Sequence, residues 1–349
     1  CFSIHLLNYI FTFNTLNMAL RAFIMTDFQQ LHQPTGRIIH VDHADYLFFG
    51  GTAYLGLLTD KNYINLYIQG IQTYGLNNGT SRRNNVQVGI YAEAEQRLAQ
   101  RFGFEDALLL SSGYLAAQLA VMQFRTVGTC FYAPQSHPAL WFNQQAAAVD
   151  GSLDFNRWAA QTIATINASS EKSFVILANT LDNLSPRYSD FSLFQAVHDD
   201  KELFFILDDS HGIGVTEANA CAVDLRLFKR DNFKLLVVAS LAKGMGTDAG
   251  IILADKDTLS QLRASPIYSG ASPPSPAGIY ALIAGEEIYI DAVGMLQQNC
   301  CYLSAQLPAN INFEPRFPVF SIQREHAFEE LKKQQILISS FAYPQLTDP

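Results

Sequence analysis

FFILDDSHGIGV, residues 204–215, joins a short apolar run to two carboxylates, a serine and a histidine. An apolar run of this length, bounded by small and polar residues, is typical of a buried β-strand. In open α/β sheets, ligands bind beyond the carboxyl ends of the strands. The stretch therefore predicts a buried strand that ends at a functional site, with Asp208 and His211 at that site.

Five further apolar runs share this character, and amphipathic or apolar helical patterns lie between some of them. The runs are ALLL 107–110, TCFY 129–132, FVILA 174–178, LLVVA 235–239 and GIILA 250–254, and the clearest helical patterns are 92–102 and 114–124. Strands that alternate with helices predict an α/β fold with a mostly parallel central sheet and helices on both faces.

The composition bounds the class of protein. The chain has 349 residues, of which 49% are hydrophobic and 16% charged, and its net charge is −9. A nucleic-acid partner is excluded, because phosphate backbones bind basic surfaces. The five cysteines are odd in number and lack CxxC spacing, which argues against a disulfide framework or a zinc site. We expect a cytoplasmic protein without a metal.

Residues 1–24 are apolar but are interrupted by polar side chains. A spanning helix needs about 20 nearly uninterrupted apolar residues, and a signal peptide begins with basic residues and ends in a cleavage site. Neither pattern fits, so no membrane association is expected. We interpret 1–24 as a non-native or disordered extension.

Lys243 follows a predicted strand within VVASLAKGMG 237–246. Taken alone, a surface lysine is an adequate explanation. Together with Asp208 at the end of another predicted strand, Lys243 indicates a site for an aldehyde cofactor, because such a cofactor binds through a lysine amine. Pyridoxal phosphate needs a carboxylate beside its ring nitrogen as well. The spacing of Asp208 and His211 lacks the further ligands of a metal site.

The ordered set of motifs resembles the α-oxoamine synthases, which are fold-type I pyridoxal-phosphate enzymes. ILDDSHGIGV 206–215 is followed by SLAKGMG 240–246 and YSGASPPSPAG 268–278, and the segments 46–57 and 79–114 match as well. The resemblance runs from about residue 36 to the end of the chain, and it implies a fold-type I architecture.

The resemblance also implies roles for individual residues. Lys243 would bond the aldehyde of pyridoxal 5′-phosphate, and Asp208 would keep the pyridine nitrogen protonated. His211 would lie near the phenolic oxygen of the cofactor, and His137 would stack on its ring. Asp209 is interpreted as structural.

The phosphate group would bind at a helix N-terminus. The resemblance assigns it to the backbone of Ser112, Gly113 and Tyr114, where free N–H groups and the helix dipole favour an anion. Ser240 would add a hydroxyl. The resemblance further implies amino acid and acyl-CoA substrates, loss of CO2 and a homodimer.

Several positions depart from the family pattern. Asn179 stands near the place where the family has a glutamate, and GTA 51–53 replaces SND. At Gly270 a neighbouring subunit would usually offer a threonine to the phosphate, which leaves Ser269 or Ser272 as candidates.

Three hypotheses about function stay open at this point. The first is a pyridoxal-phosphate-dependent acyltransferase, the second an aminotransferase of the same fold, and the third a cofactor-binding but catalytically idle partner subunit. The expected domains are an N-terminal segment 25–60, a cofactor-binding domain 61–272 and a small C-terminal α+β domain 273–349. We expect the C-terminal domain to be incomplete, because no arginine that would bind the substrate carboxylate is recognised near its end.

Overall fold

The structure is a computed structural model that describes residues 28–143, 153–308, 311–322, 324 and 326–340. The extension predicted for 1–24 lies outside these residues. No helix within the described ranges combines the length and the apolar character needed to cross a membrane. The described residues form two compact units, one from the residues up to 51 together with those from 324 onward, and the other from residues 52 to 322.

The described strands, in chain order, are β1 (Ile38–Val41), β2 (Ala44–Phe49), β3 (Asp106–Leu110), β4 (Thr129–Tyr132), β5 (Ser173–Asn179), β6 (Leu181–Asp182), β7 (Arg187–Tyr188), β8 (Glu202–Asp208), β9 (Phe233–Ser240), β10 (Gly250–Ala254), β11 (Asn312–Glu314), β12 (Phe317–Ser321) and β13 (Ile336–Ile338). The described α-helices are α1 (Lys61–Tyr74), α2 (Ile90–Phe102), α3 (Gly113–Phe124), α4 (Phe155–Ala168), α5 (Lys256–Arg263), α6 (Pro266–Gly270), α7 (Pro276–Ala284), α8 (Glu286–Ser304) and α9 (Ala327–Lys332).

The larger unit is organised around a six-stranded sheet of order β3-β10-β9-β8-β5-β4. Strands β4, β5, β8 and β9 pair in parallel, whereas β10 is antiparallel to both β3 and β9. The predicted α/β fold with a mostly parallel sheet is confirmed. The reversed direction of β10 was not predicted, because an apolar run carries no information about strand direction.

Both faces of this sheet are covered, which explains why its strands are continuously apolar. Along β8, Leu203, Phe205 and Leu207 belong to one hydrophobic core, and Phe204 and Ile206 belong to another. All are buried. Successive side chains of a strand point to opposite faces, so β8 contributes to the core on each side of the sheet.

Helix α3 begins at the edge of the sheet. Its N-cap residue Ser112 has an extended backbone, and its hydroxyl accepts a hydrogen bond from Leu115 N at 3.2 Å. At the other end of the helix, Phe124 stacks on Phe204 with ring centroids 4.6 Å apart. The cap fixes where the helix starts, and the aromatic pair fixes its packing on the sheet.

The smaller unit contains a three-stranded sheet of order β1-β2-β13. Strand β13 pairs with β2 in parallel, although the two strands are nearly 300 residues apart in sequence. Phe28 packs edge-on against Tyr46, with ring centroids 5.1 Å apart. The domain boundaries stated from the sequence stay predictions.

Candidate active site

Five strands of the central sheet end at one edge, and the predicted site residues lie at the strand ends or shortly after them. Asp208 is the last residue of β8, and Ser240 is the last residue of β9. Asn179 ends β5 and lies directly opposite Asp208 in the register of the two strands. This edge is where an α/β sheet binds its ligands.

Lys243 lies three residues beyond β9, at the centre of the site. Its Nζ atom is 3.2 Å from Nε2 of His211, and Nδ1 of His211 is 2.6 Å from the hydroxyl of Tyr54. The three side chains form a continuous hydrogen-bonded row.

Burial disfavours the charged forms of these groups. It lowers the pKa of Lys243, while the carboxylate of Asp208 opposes that shift. Burial also lowers the pKa of His211, and the neighbouring Lys243 lowers it further. The site thus favours a neutral imidazole and makes the amine easier to deprotonate than a surface lysine.

Asp208 is 8% exposed, and its Oδ1 accepts a hydrogen bond from Ser210 N at 2.9 Å. Its charge raises the pKa of His137, of His211 and of Lys243 against the opposing effect of burial. Its carboxylate therefore lies within electrostatic reach of all three groups.

His137 caps the short turn Pro138–Leu140, since its Nδ1 accepts a hydrogen bond from Ala139 N at 3.0 Å. Its own backbone N–H donates to Asn179 Oδ1 at 3.0 Å, and Asn179 Nδ2 donates to the carbonyl of Gln135 at 2.7 Å. The amide of Asn179 thereby fixes the loop that carries His137. Burial lowers the pKa of His137.

The N-terminus of α3 lies against the end of β9. A Cβ atom on Gly113 would lie 2.5 Å from Cα of Ser240, so only glycine allows this approach. Ser240 N in turn donates to Ser210 Oγ at 2.9 Å. The first N–H groups of a helix have no intrahelical acceptor, which leaves the N–H groups of Gly113 and Tyr114 suited to an anion. The side chain of Tyr114 is exposed.

Asp209 has a different environment from Asp208. It is fully buried, it is hydrogen-bonded to the hydroxyl of Thr180, and it accepts from Ala222 N at 3.0 Å. Burial raises the pKa of Asp209 to about 7. Its contacts tie β8 to two loops, in agreement with the structural interpretation made from the sequence.

The two serines near Gly270 differ in availability. The hydroxyl of Ser269 donates within its own helix to the carbonyls of Ser265 and Pro266, at 3.0 and 3.2 Å. Ser272 is exposed. Of the two candidates, Ser272 has the hydroxyl that is accessible to a neighbouring molecule.

The chemistry of this donor set fits an aldehyde cofactor that carries a phosphate. An amine with a lowered pKa, a buried carboxylate and a glycine-lined helix N-terminus lie along one sheet edge. A metal fits less well, because the described residues contain no group of three or more His, Cys, Asp or Glu side chains arranged to hold one.

Tyr54 is the site residue that the sequence analysis missed as a functional group. It lies within the matching segment 46–57, but 157 positions separate it from His211. Sequence periodicity carries no signal for a contact of this kind. Only the folded chain brings the two side chains together.

The chain matches the family model "Aminotransferase class I and II" over residues 60–345. It is 25% identical over 268 residues to the 8-amino-7-oxononanoate synthase of Vibrio campbellii, which covers 75% of this chain and 66% of the relative. The enzyme of the same name from Nitrosospira multiformis is 24% identical over 337 residues, which cover 91% of this chain and 83% of that relative. The enzyme of Aliivibrio fischeri strain MJ11 is 25% identical over 244 residues, which cover 68% of this chain and 62% of that relative. The chain thus spans about two thirds of the length of several curated relatives.

Solved structures share the fold. Serine palmitoyltransferase from S. paucimobilis has a TM-score of 0.76 at 14% identity, covering 96% of this chain and 91% of the other. The 8-amino-7-oxononanoate synthase of Francisella tularensis has a TM-score of 0.64 at 17% identity, covering 86% and 89%. The resemblance to the α-oxoamine synthases is confirmed, because the curated relatives are named 8-amino-7-oxononanoate synthase and the structural neighbours are serine palmitoyltransferase and 8-amino-7-oxononanoate synthase, which are enzymes of that group. The chain belongs to the aminotransferase class I and II family.

Proposed function

We propose that the protein binds pyridoxal 5′-phosphate and uses it to join an amino acid to an acyl-CoA thioester with loss of CO2. The observation that carries the proposal is that the Lys243 amine and the Asp208 carboxylate, which follow or end adjacent strands, lie within electrostatic reach of each other. The relatives named 8-amino-7-oxononanoate synthase support the choice of this reaction. The cofactor, when bound, supplies an electron sink for a carbanion at the amino acid's α-carbon.

Each polar group of the site has a distinct task under this proposal. Lys243 offers a neutral amine to the cofactor aldehyde and afterwards takes and returns the substrate's α-proton at Nζ. Asp208 holds a proton on the pyridine nitrogen, which is the charge state that withdraws electrons. His211 would donate toward the phenolic oxygen of the cofactor. His137 would lie against the cofactor ring and help to position the acyl carbonyl.

The phosphate group would occupy the N-terminus of α3. The backbone N–H groups of Ser112, Gly113 and Tyr114 would donate to its oxygens, and the hydroxyl of Ser240 would add one hydrogen bond. The close approach of Gly113 to Ser240 supports this arrangement, because it brings both groups of donors to one point.

Amino-group transfer to a 2-oxo acid is the second candidate, favoured by the name of the matching family model. Release of free CoA thiol separates the two. The full chain, loaded with pyridoxal phosphate, is incubated with alanine, glycine or serine and with short and long acyl-CoAs. We expect thiol release and CO2 that depend on both substrates. Background thiol release together with amino-group transfer to a 2-oxo acid would replace the first candidate by the second. The absence of both activities would indicate a catalytically idle subunit.

We also propose that the protein forms a homodimer and resides in the cytoplasm. An apolar stripe on α1, made of Ile64, Ile68 and Ile71, is exposed in the single chain and supports association. All four described cysteines are free, which supports a reducing compartment.

Light scattering after gel filtration tests the proposed homodimer. A dimer that Ile68→Lys disrupts is the expected result, and a monomer at all concentrations would contradict it.

A further inference from the structure

The row of hydrogen bonds at Lys243 contains one group that the proposed function does not use. The hydroxyl of Tyr54 lies 2.6 Å from His211 Nδ1, and His211 Nε2 lies 3.2 Å from Lys243 Nζ. The imidazole is therefore held at both nitrogens. Its state of protonation cannot change without affecting both neighbours.

Tyr54 is itself firmly placed. Its ring packs edge-on against Phe317, with centroids 6.2 Å apart, and Phe317 is fully buried. The next residue, Leu55, is buried, as is Leu57. The phenol is thus a fixed partner of His211 rather than a surface side chain that meets it by chance.

The charges around the row limit which proton arrangements are possible. Burial raises the pKa of Tyr54 well above its usual range, so its hydroxyl keeps its proton at neutral pH. The lowered pKa of His211 leaves its ring neutral, with a proton on one nitrogen only. Asp208 and His137 are the other titratable groups that act on this ring.

These limits leave two arrangements. If Tyr54 donates to Nδ1, the ring proton is on Nε2 and is directed at the lone pair of a neutral Lys243 amine. If the ring proton is on Nδ1, then Tyr54 accepts it, and Nε2 accepts from a charged Lys243 ammonium. The first arrangement favours the neutral amine that an aldehyde requires.

We propose that Tyr54 is a positioning residue whose phenol donates to Nδ1 of His211 and keeps the ring proton on Nε2, facing Lys243. The inference rests on the proposed function, since it deepens the account of how Lys243 becomes a nucleophile. Tyr54 acts through His211, whose Nδ1 its hydroxyl contacts at 2.6 Å. A merely structural tyrosine would leave the tautomer of His211 unchanged.

The test uses the full chain freed of any bound aldehyde with hydroxylamine, so that no cofactor chemistry enters the readout. Nitrogen NMR of protein with ¹⁵N-labelled histidine reports which ring nitrogen of His211 carries the proton, and the spectrum of His211→Asn assigns the signal. Labelling of Lys243 by an amine-reactive reagent across a pH series, read by mass spectrometry, gives the apparent pKa of the amine. Tyr54→Phe keeps the ring that packs on Phe317, and Tyr302→Phe is the exposed control.

In the wild type we expect a protonated Nε2 and an unprotonated Nδ1. In Tyr54→Phe the proton should shift toward Nδ1, and the labelling midpoint of Lys243 should rise by about one pH unit, the effect of one hydrogen bond. Tyr302→Phe should match the wild type. A proton on Nδ1 in the wild type, or curves for Tyr54→Phe that superimpose on the wild type, would overturn the proposal. A chain that shows the expected tautomer but fails to bind pyridoxal phosphate would refute the proposed function alone.

Discussion

The backbone of Gly113 touches the end of β9, because any Cβ atom at position 113 would lie 2.5 Å from both Cα and Cβ of Ser240. This contact joins the helix N-terminus of the proposed phosphate site to the strand that leads to Lys243. The contact involves backbone atoms on one side and a strand end on the other, so neither side can yield by a simple change of rotamer.

Gly113→Ala should therefore weaken both folding and phosphate binding. The added methyl group forces α3 away from β9, and overpacking of this kind costs about 1–3 kcal/mol of unfolding free energy. Urea unfolding measures the stability, and titration with pyridoxal phosphate measures the affinity.

Gly294→Ala is the matched control for this substitution. Gly294 lies within α8, and nothing lies within 4 Å of the position its Cβ would take. Alanine should stabilise that helix by about 0.5–1 kcal/mol and leave cofactor affinity unchanged. Equal effects of the two substitutions would show that Gly113 is not required for the close contact.

Asp208→Asn should reduce turnover far more than it reduces stability. A neutral amide cannot hold the pyridine nitrogen protonated, and the loss of a charge-assisted hydrogen bond costs about 1.5–3 kcal/mol of cofactor affinity. Steady-state kinetics and titration with pyridoxal phosphate measure the two effects. Asp231→Asn, in an exposed loop, is the control. Wild-type turnover in the Asp208 variant would remove Asp208 from the proposed mechanism.

We expect the side-chain amide of Asn179 to position His137 through its hydrogen bonds. Asn179→Ala removes the acceptor for His137 N–H and the donor to Gln135, and it should cost about 1–3 kcal/mol of stability. Asn179→Asp keeps the acceptor, so its substrate KM should stay closer to the wild-type value than the KM of Asn179→Ala does. If both variants behave alike in urea unfolding and in kinetics, the amide does not position His137.

The buried Asp209 gives the stability a defined pH dependence. Its folded pKa of about 7 lies above the ordinary value of 3.8, so the folded state binds more protons between these two values. Its contribution to stability is complete below about pH 4 and is lost as the pH rises through about 7.

The difference in unfolding free energy between the wild type and Asp209→Asn isolates this contribution, because the amide can keep both hydrogen bonds and does not ionise. Relative to the variant, the wild type should lose on the order of 1.4 kcal/mol per pH unit between pH 5 and 7. Urea unfolding at a series of pH values measures it. A difference that stays constant with pH would mean that Asp209 does not titrate in this range.

The strands of the central sheet could be predicted closely from sequence. The apolar runs 129–132 and 250–254 coincide with β4 and β10, and the run in 204–208 lies within β8. Such strands are covered on both faces, so their sequence is apolar throughout and easily recognised. The direction of β10 and the order of the strands could not be predicted, because these depend on pairing between distant segments.

The candidate site divides in the same way. The positions of Lys243, Asp208 and Ser240 at the sheet edge could be predicted, because each lies at the end of an apolar run or within a few residues of it, where the sequence pattern marks the edge of the sheet. The contact of Tyr54 with His211 and the hydrogen bond between Asn179 and His137 could not be predicted. Each is a hydrogen bond between segments far apart in the chain, and single-sequence patterns carry no signal for it.

The most direct test of the account is the covalent capture of the cofactor. The full chain is incubated with pyridoxal phosphate, reduced with borohydride, digested and analysed by mass spectrometry. The account predicts a phosphopyridoxyl group on Lys243 and its disappearance in Lys243→Ala, while exposed lysines such as Lys61 and Lys172 stay largely unmodified. An unmodified Lys243, or modification spread evenly over the surface lysines, would contradict it.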